Sequence, residues 1–361
     1  MGNIGLISSH GGLNGAAKMV DILARGLANG GHNVRLYHHE NAWFEAQDYP
    51  ANVELRPVDI GVRMLNKSEI NRVRSELLDW NALCLHSHGT SADRFNGCVR
   101  VPGQLAGIAT AHARILHLHW RKHDWIIAPS DYTRSWYQKT HLGRADRMSV
   151  IPNAMEATFL QVHPHCAMDE LRDALDLPKD KFLILMIGSI CHRKNQSAAI
   201  PMLKALVDQG VDAHLLVVGP EDRKESAKLK SAIAKAKMKT RVHLMGLQED
   251  MDRFAGASDC VLSTSRDEQA SVSLLETLAG GRPAVSSRTG SAAEVIQDGK
   301  SGQVFDLKNM APAIALMRRL AKDQIFAAEC GAQARRDFEA NYTTAPFVAA
   351  HMALYEKLAA T

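Results

Sequence analysis

Two carboxylates eight positions apart, Glu268 and Glu276, stand on either side of an expected helix start within the stretch Ser263 to Gly302. Asp259 to Thr264 reads as a buried strand and Ser265 to Gln269 as a polar turn. Val272 to Ala279 reads as a short helix, with Gly280 and Gly281 past its end and Pro283 blocking any continuation. A new strand follows at Ala284 to Ser286. Glu268 therefore falls in a loop at the mouth of a strand. Glu276 falls on the helix, a little over one turn from its start. The first N–H groups of a helix have no intrahelical acceptor and favour an anion. A diphosphate held there, with a carboxylate on each side to accept hydroxyl protons, would make a site for a sugar–diphosphate–nucleoside. Two glutamates at this spacing also occur as solvated residues of surface helices, so the pair alone does not choose.

A second candidate is cationic. Arg193 and Lys194, followed by Asn195, close the turn that begins at Gly188. Two adjacent cations at the mouth of a strand, opposite a helix N-terminus, suit a diphosphate and the charge it gains on leaving. A bare Arg-Lys pair reads more simply as a solvated basic turn.

Other patterns lead elsewhere or nowhere. Gly11, Gly12 and Gly15 predict a tight turn after the first strand, but their spacing does not fit the dinucleotide fingerprint, although Glu40 sits where its acidic residue would stand. Gly299-Lys300-Ser301 mimics the end of a phosphate loop whose earlier glycine is missing, since position 294 is Glu294. Histidine is frequent, seventeen in all, with His86, His88, His112, His117, His119 and His123 crowding the first half. His-x-His pairs on a strand can bind metal, but no carboxylate or cysteine partner has zinc-like spacing, so no metal is expected.

Composition sets the outer bounds. At 361 residues, with 46% hydrophobic and 23% charged residues, the chain has room for two domains with separate cores. A formal charge of +4 is too small to point to a nucleic-acid partner. No apolar run nears the length of a membrane span, and the first residues lack the basic and apolar regions of a secretory signal. Myristoylation at Gly2 is discounted because the required hydroxyl residue is missing. The six scattered cysteines, without any Cys-x-x-Cys, predict buried thiols in a reducing cytoplasm. The stretch 100–147 interleaves Arg114, Arg121, Lys122 and Arg134 with Trp120, Trp125, Tyr132, Trp136 and Tyr137. Ordinary solvated helix faces account for it, as does a surface for an anionic acceptor or a peripheral contact with lipid.

The elements that must position these residues repeat one plan. Strand Ile4–Ser8, helix Ala16–Asn29 and strand Asn33–Tyr37 open a βαβ unit, and strands Ala82–His86, Gly107–Thr110 and Trp125–Ala128 extend it. The plan restarts at Phe182–Ile187, with a helix near Gln196–Gln209 and strands His214–Val218 and Arg241–Met245 before the Glu268 region. The fold class is α/β, with two doubly wound domains whose ligands bind at the carboxyl ends of strands. Expected boundaries are 1–160 for the first domain, 161–178 for a linker around His163-Pro164-His165, 179–340 for the second domain and 341–361 for a C-terminal helix.

The pattern around the glutamate pair resembles the donor-binding half of glycosyltransferase family 4. It comprises Glu-x7-Glu, then Gly281, Pro283, Val285, Thr289, Gly290, Glu294, Val295, Ile296, Gly299 and Gly302. Weaker marks in the first half are the glycine turn, His86-Ser-His88, Ala109 to His112, Ala128-Pro-Ser130 and Val150 to Asn153. The resemblance covers nearly the whole chain and implies the GT-B architecture of two facing Rossmann-like domains, with the last helix packed back on the first. It also implies a retaining transferase that moves a hexose from a nucleotide diphosphate sugar to a glycan or lipid-linked acceptor, in surface polysaccharide or lipopolysaccharide synthesis. No cofactor or metal is implied. By the same resemblance, Glu268 would bind donor-sugar hydroxyls and Glu276 the ribose. Arg193 and Lys194 would hold the diphosphate beside Gly188, Ser271 and Val272. Gly246 and Leu247 would face the nucleotide, and Gly12 and Gly15 the donor. His112 matches a histidine near the reacting centre. Departures are Ser189, where many relatives carry arginine, and Gln269-Ala270, where Gly-Phe is usual; Ser271 after them is expected to cap the helix start. A GT-B epimerase of sugar nucleotides, or a non-catalytic GT-B-like binding subunit, stays open beside the transferase. A cytoplasmic location is expected, with peripheral attachment to the inner face of the membrane left open.

Overall fold

Runs of apolar residues too uniform for an exposed sheet build the centre of both halves. Phe182-Leu-Ile-Leu-Met-Ile187 and Ala213 to Val218 are buried on both faces, which is the signature of parallel strands covered by helices on each side. The computed structural model describes residues 1–61, 65–115, 118–140, 145–156, 169–170, 172–173, 176–248 and 251–360. His117, Arg144, the expected His163-Pro164-His165 linker and Cys166 lie outside them. The chain divides into two compact units, one of Met1–Ala154 with Thr343–Thr361 and one of Met155–Tyr342.

The first unit holds seven strands: β1 (Asn3–Ser8), β2 (Asn33–His38), β3 (Val53–Pro57), β4 (Ala82–His88), β5 (Ala106–Thr110), β6 (Trp125–Ala128) and β7 (Met148–Val150). All pairs are parallel, in the order β3-β2-β1-β4-β5-β6-β7. Ile7, Tyr37, Leu77, Leu85 and Phe95 are fully buried within one of its core clusters. The helix Gly15–Asn29 packs closely on the C-terminal helix Thr344–Ala359. A Cβ on Gly26 would stand 2.5 Å from Val348 and 2.8 Å from Thr344. Glycine is required there by space, not by backbone angle.

The second unit holds β8 (Phe182–Ile187), β9 (Ala213–Val218), β10 (Val242–Gly246), β11 (Cys260–Ser263), β12 (Ala284–Ser287) and β13 (Gly302–Phe305). They form a parallel sheet in the order β10-β9-β8-β11-β12-β13 around Ile184, Met186, Leu203, Leu215 and Val217. In both sheets the order reverses beside the first strand, at β1/β4 and at β8/β11. Such a reversal leaves a crevice at the carboxyl ends of the two strands, where ligands of doubly wound sheets bind.

The segment expected as a linker, 161–178, differs. Its described residues belong to the second unit, and Arg172 is 5% exposed, with its guanidinium 2.9 Å from the Asp259 carboxylate. A buried, paired arginine ties this part of the chain to the sheet. The five described cysteines are free thiols. Among the described residues no helix is long and apolar enough to cross a membrane.

Candidate functional site

The loops that leave β8 and β11 meet at the switch point of the second sheet. Gly188 follows β8 with φ of 120°, a left-handed conformation suited to glycine. A Cβ there would also lie 3.0 Å from the Lys194 side chain, so the missing side chain lets the lysine fold back over the loop. Asn195 closes the loop at φ 53°, a region that asparagine tolerates better than other side-chain-bearing residues. Its amide donates to the Thr264 carbonyl at 3.1 Å, and the Thr264 hydroxyl donates back to the Asn195 carbonyl at 2.9 Å. Arg266 adds two further stitches, from its backbone N–H to the Arg193 carbonyl and from its guanidinium to the Asn195 side chain, both 2.8 Å.

These contacts bring together residues more than seventy positions apart. Glu268 pairs with Lys194 at 2.8 Å and with Arg193 at 2.5 Å. Its side chain is 11% exposed and that of Lys194 13%, while Arg193 is half exposed. Burial alone would raise the Glu268 carboxyl, but the charges and hydrogen bonds of Lys194 and Arg193 outweigh it and hold the group below the usual glutamate range. The Glu268 backbone N–H donates to the Thr289 hydroxyl at 3.0 Å, and the Ser265 hydroxyl donates to its carboxylate at 3.0 Å. Gly290, at φ 56°, lets the turn after β12 pass against the Glu268 backbone, where a Cβ would come within 2.9 Å of its carbonyl.

The helix Val272–Ala279 begins beside this carboxylate, and Glu268, Ser271, Ser273, Thr277 and Thr289 line one small cavity. Ser271 occupies the N-cap position, but its hydroxyl pairs with that of Ser273 at 2.8 Å and gives no capping bond. Among the described residues the first N–H groups of the helix therefore have no cap from the Ser271 side chain, unlike the capped start expected from the sequence. Glu276 sits in the second turn of this helix and is 5% exposed. Gly246 ends β10 at φ 68°, and its carbonyl accepts from Gly219, where a Cβ would stand 2.4 Å from the Gly188 carbonyl oxygen. Leu247 beside it is 72% exposed.

Gly12 and Gly15 belong to the first unit and are not gathered with the Glu268 cluster within one unit. Neither has a positive φ, and a Cβ on Gly12 would meet nothing within 4 Å. Asn14 shapes this turn instead. Its side chain caps the helix Gly15–Asn29 by accepting from Ala16 and Ala17 at 2.9 and 3.0 Å. The sequence carries this signal as an asparagine directly before an apolar-periodic run.

His112 also lies in the first unit, just past β5 and half-buried. Its Nε2 is 2.8 Å from His88 Nδ1 at the end of β4. Burial, with His10 nearby, depresses its pKa to about 3, so the ring is neutral. The Tyr137 hydroxyl holds the chain just beyond, donating to the Ala113 carbonyl and accepting from the Ile115 backbone N–H. The five aromatic residues of 100–147 are buried or half-buried. Trp120 and Tyr137 are buried, the Trp125 indole N–H donates to Ser149, and Arg114 lies over the Tyr132 ring.

Comparison with known proteins bears on the family and the fold. The family model described as glycosyl transferases group 1 matches residues 167–337, and that described as glycosyltransferase family 4 matches 13–159. The chain is similar to the N-acetyl-alpha-D-glucosaminyl L-malate synthase of Bacillus anthracis, with 24% identity over 52% of this chain and 49% of that protein. It is also similar to the lipopolysaccharide core biosynthesis mannosyltransferase LpcC of Rhizobium leguminosarum bv. viciae, with 24% identity over 72% of each. The chain spans about half the length of several of the curated relatives it matches. Among solved structures, Anabaena HepE in complex with UDP superposes with a TM-score of 0.83 at 15% identity, over 99% of this chain and 100% of the other.

Proposed function

From the premise that this chain belongs to glycosyltransferase family 4, with the GT-B fold, we propose that it is a retaining hexosyltransferase using a nucleotide diphosphate sugar. The acceptor in this reading is a glycan or lipid-linked hydroxyl of cell-surface polysaccharide or lipopolysaccharide synthesis. That class of product is suggested by relatives such as the Rhizobium leguminosarum mannosyltransferase.

The observation that carries the reading is the Glu268 carboxylate clamped by Lys194 and Arg193 at the β8/β11 switch point. A preorganised pair of cations beside an uncapped helix start suits a diphosphate, whose charge rises as the sugar bond breaks. The diphosphate displaces the Glu268 contacts and draws the carboxylate's hydrogen bonding toward the sugar hydroxyls. Glu276 holds the ribose. The acceptor oxygen forms the new bond to the anomeric carbon on the face that the diphosphate leaves. The departing phosphate oxygen takes the acceptor's proton, so no separate base is needed. Lys194, Arg193 and the helix N–H groups supply the positive charge that a metal would otherwise bring. The acceptor and His112 belong to the first unit. The protein acts in the cytoplasm, with peripheral attachment to the membrane as part of the proposal.

A thermal-shift screen against UDP-, GDP-, ADP- and dTDP-hexoses tests the donor class, because a ligand that binds only the folded state raises the melting temperature. One nucleotide series should stabilise the protein, and the Lys194→Ala variant should lose that response. No shift with any series would overturn the reading.

A further inference from the structure

Five histidines gather in the first unit, three of them at the carboxyl ends of β1, β4 and β5. His86 and His88 have ring centroids 4.3 Å apart, His88 and His112 5.1 Å, His86 and His351 5.6 Å, and His10 and His112 6.4 Å. Among the described residues no three His, Cys, Asp or Glu side chains are placed to hold a metal ion. The cluster is instead ordered by hydrogen bonds. His86 uses both ring nitrogens, Nδ1 with the Tyr355 hydroxyl at 2.8 Å and Nε2 with the Thr110 hydroxyl at 2.7 Å. His88 uses one, Nδ1 with His112 Nε2, while its own Nε2 is buried without a partner among the described residues.

That asymmetry decides where the protons sit. Both rings are neutral, because burial drives their pKa values far down. A neutral imidazole has one N–H donor and one bare acceptor nitrogen. If His88 carried its proton on Nε2, a buried N–H would have no acceptor, a rare and costly arrangement. With the proton on Nδ1, that N–H is satisfied by His112 Nε2 and only a lone pair is left unused. His112 Nε2 is then the acceptor, which puts the His112 proton on Nδ1.

We propose that His88 is a positioning residue that fixes the tautomer of His112, so that His112 offers an Nδ1–H donor to its ligand. This rests on the reading that places His112 near the reacting centre. It adds a direction to that role. His112 donates a hydrogen bond to a hydroxyl or ring oxygen of a sugar, and its Nε2 cannot serve as a base because His88 already occupies it.

The test labels the histidines of the full chain with ¹⁵N and reads each ring's tautomer from long-range ¹⁵N–¹H correlations, with His112→Gln identifying the His112 signals. Wild type should show His112 protonated on Nδ1. His88→Asn puts an amide where imidazole Nδ1 stands, so the tautomer should persist. His88→Leu removes the donor and should release His112 to the Nε2–H form. His88→Gln, whose amide reaches only the Nε2 position, should do the same and serves if the leucine variant fails to fold. An Nε2–H His112 in wild type, or an unchanged tautomer in both His88→Leu and His88→Gln, overturns the proposal. Kinetics with an accepted donor tests the reading beneath it. His88→Leu should lower kcat on the order of tenfold with donor KM unchanged, and His88→Asn should stay within about twofold. A released tautomer with wild-type kcat would uphold the role of His88 and remove His112 from the reacting centre.

Discussion

Glu268→Gln separates the two jobs assigned to the Glu268 loop. In the structure the carboxylate occupies both cations, so a diphosphate arriving at Lys194 and Arg193 must compete with it. The amide keeps the size of the side chain and removes its charge. The contact with Lys194 matters most, since both side chains are nearly buried, whereas Arg193 is half exposed and screened by water. A hydrogen bond to a charged group contributes about 1.5–3 kcal/mol, and about 1.4 kcal/mol is a factor of ten in affinity. Releasing Lys194 should therefore tighten binding of the free nucleoside diphosphate by about tenfold, the low end of that range. Turnover should move the other way and fall about a hundredfold, because the variant loses a charged contact to the sugar that strengthens in the transition state. Titration calorimetry with UDP, GDP, ADP and dTDP on both proteins, beside steady-state rates with the matching diphosphate hexose, reads both effects. Weaker nucleotide binding in Glu268→Gln would refute the competition. Unchanged turnover would refute the contact with the sugar.

Lys194→Ala should lower kcat more than it raises donor KM, because charge on the diphosphate grows as the sugar bond breaks; a variant with wild-type kcat would remove the diphosphate from this turn. Activity should survive EDTA, since the proposed positive charge is built in, and complete loss restored by Mg²⁺ or Mn²⁺ would contradict the mechanism. Stability should depend on pH through the buried histidines, for which His123 and His351 set a lower bound. Burial holds both near a pKa of about 4, below the unfolded value of 6.5, so unfolding takes up protons once the pH drops under that value. One proton each amounts to about 3 kcal/mol lost per pH unit between roughly pH 6 and 4, and urea curves that coincide from pH 7 to 5 would refute it. Gly290→Ala should cut turnover and lower the melting temperature, because the added Cβ meets the Glu268 backbone at a left-handed φ; wild-type rates would show that this turn does not position Glu268.

The parts of this molecule that were legible in its sequence are the local ones. The helix Val272–Ala279 is bounded by glycines and Pro283, and β8 is an unbroken apolar run, so both announce themselves within a dozen residues. The short strands β7 and β13, three and four residues long, show no period of their own and emerge only from their neighbours in the sheet. The pairing of Lys194 with Glu268 depends on β8 lying beside β11, a property of strand order that no spacing along the chain records. Tyr355 reaches His86 from a helix 269 residues away for the same reason. Glycine signals a turn whether or not the turn needs it, and after β1 the bonds that shape the turn come from Asn14. The serine before the Glu276 helix was read by residue type, and its hydroxyl turned to Ser273 instead.

The cations after β8 are proposed to hold the diphosphate of a nucleotide sugar. Calorimetric titration of wild type and of an Arg193→Ala/Lys194→Ala double variant with the four nucleoside diphosphates and their hexose conjugates tests it most directly. Wild type should bind one nucleotide series, and the double variant, still folded by circular dichroism, should bind it at least about tenfold more weakly. Equal affinity in the two proteins would contradict the account.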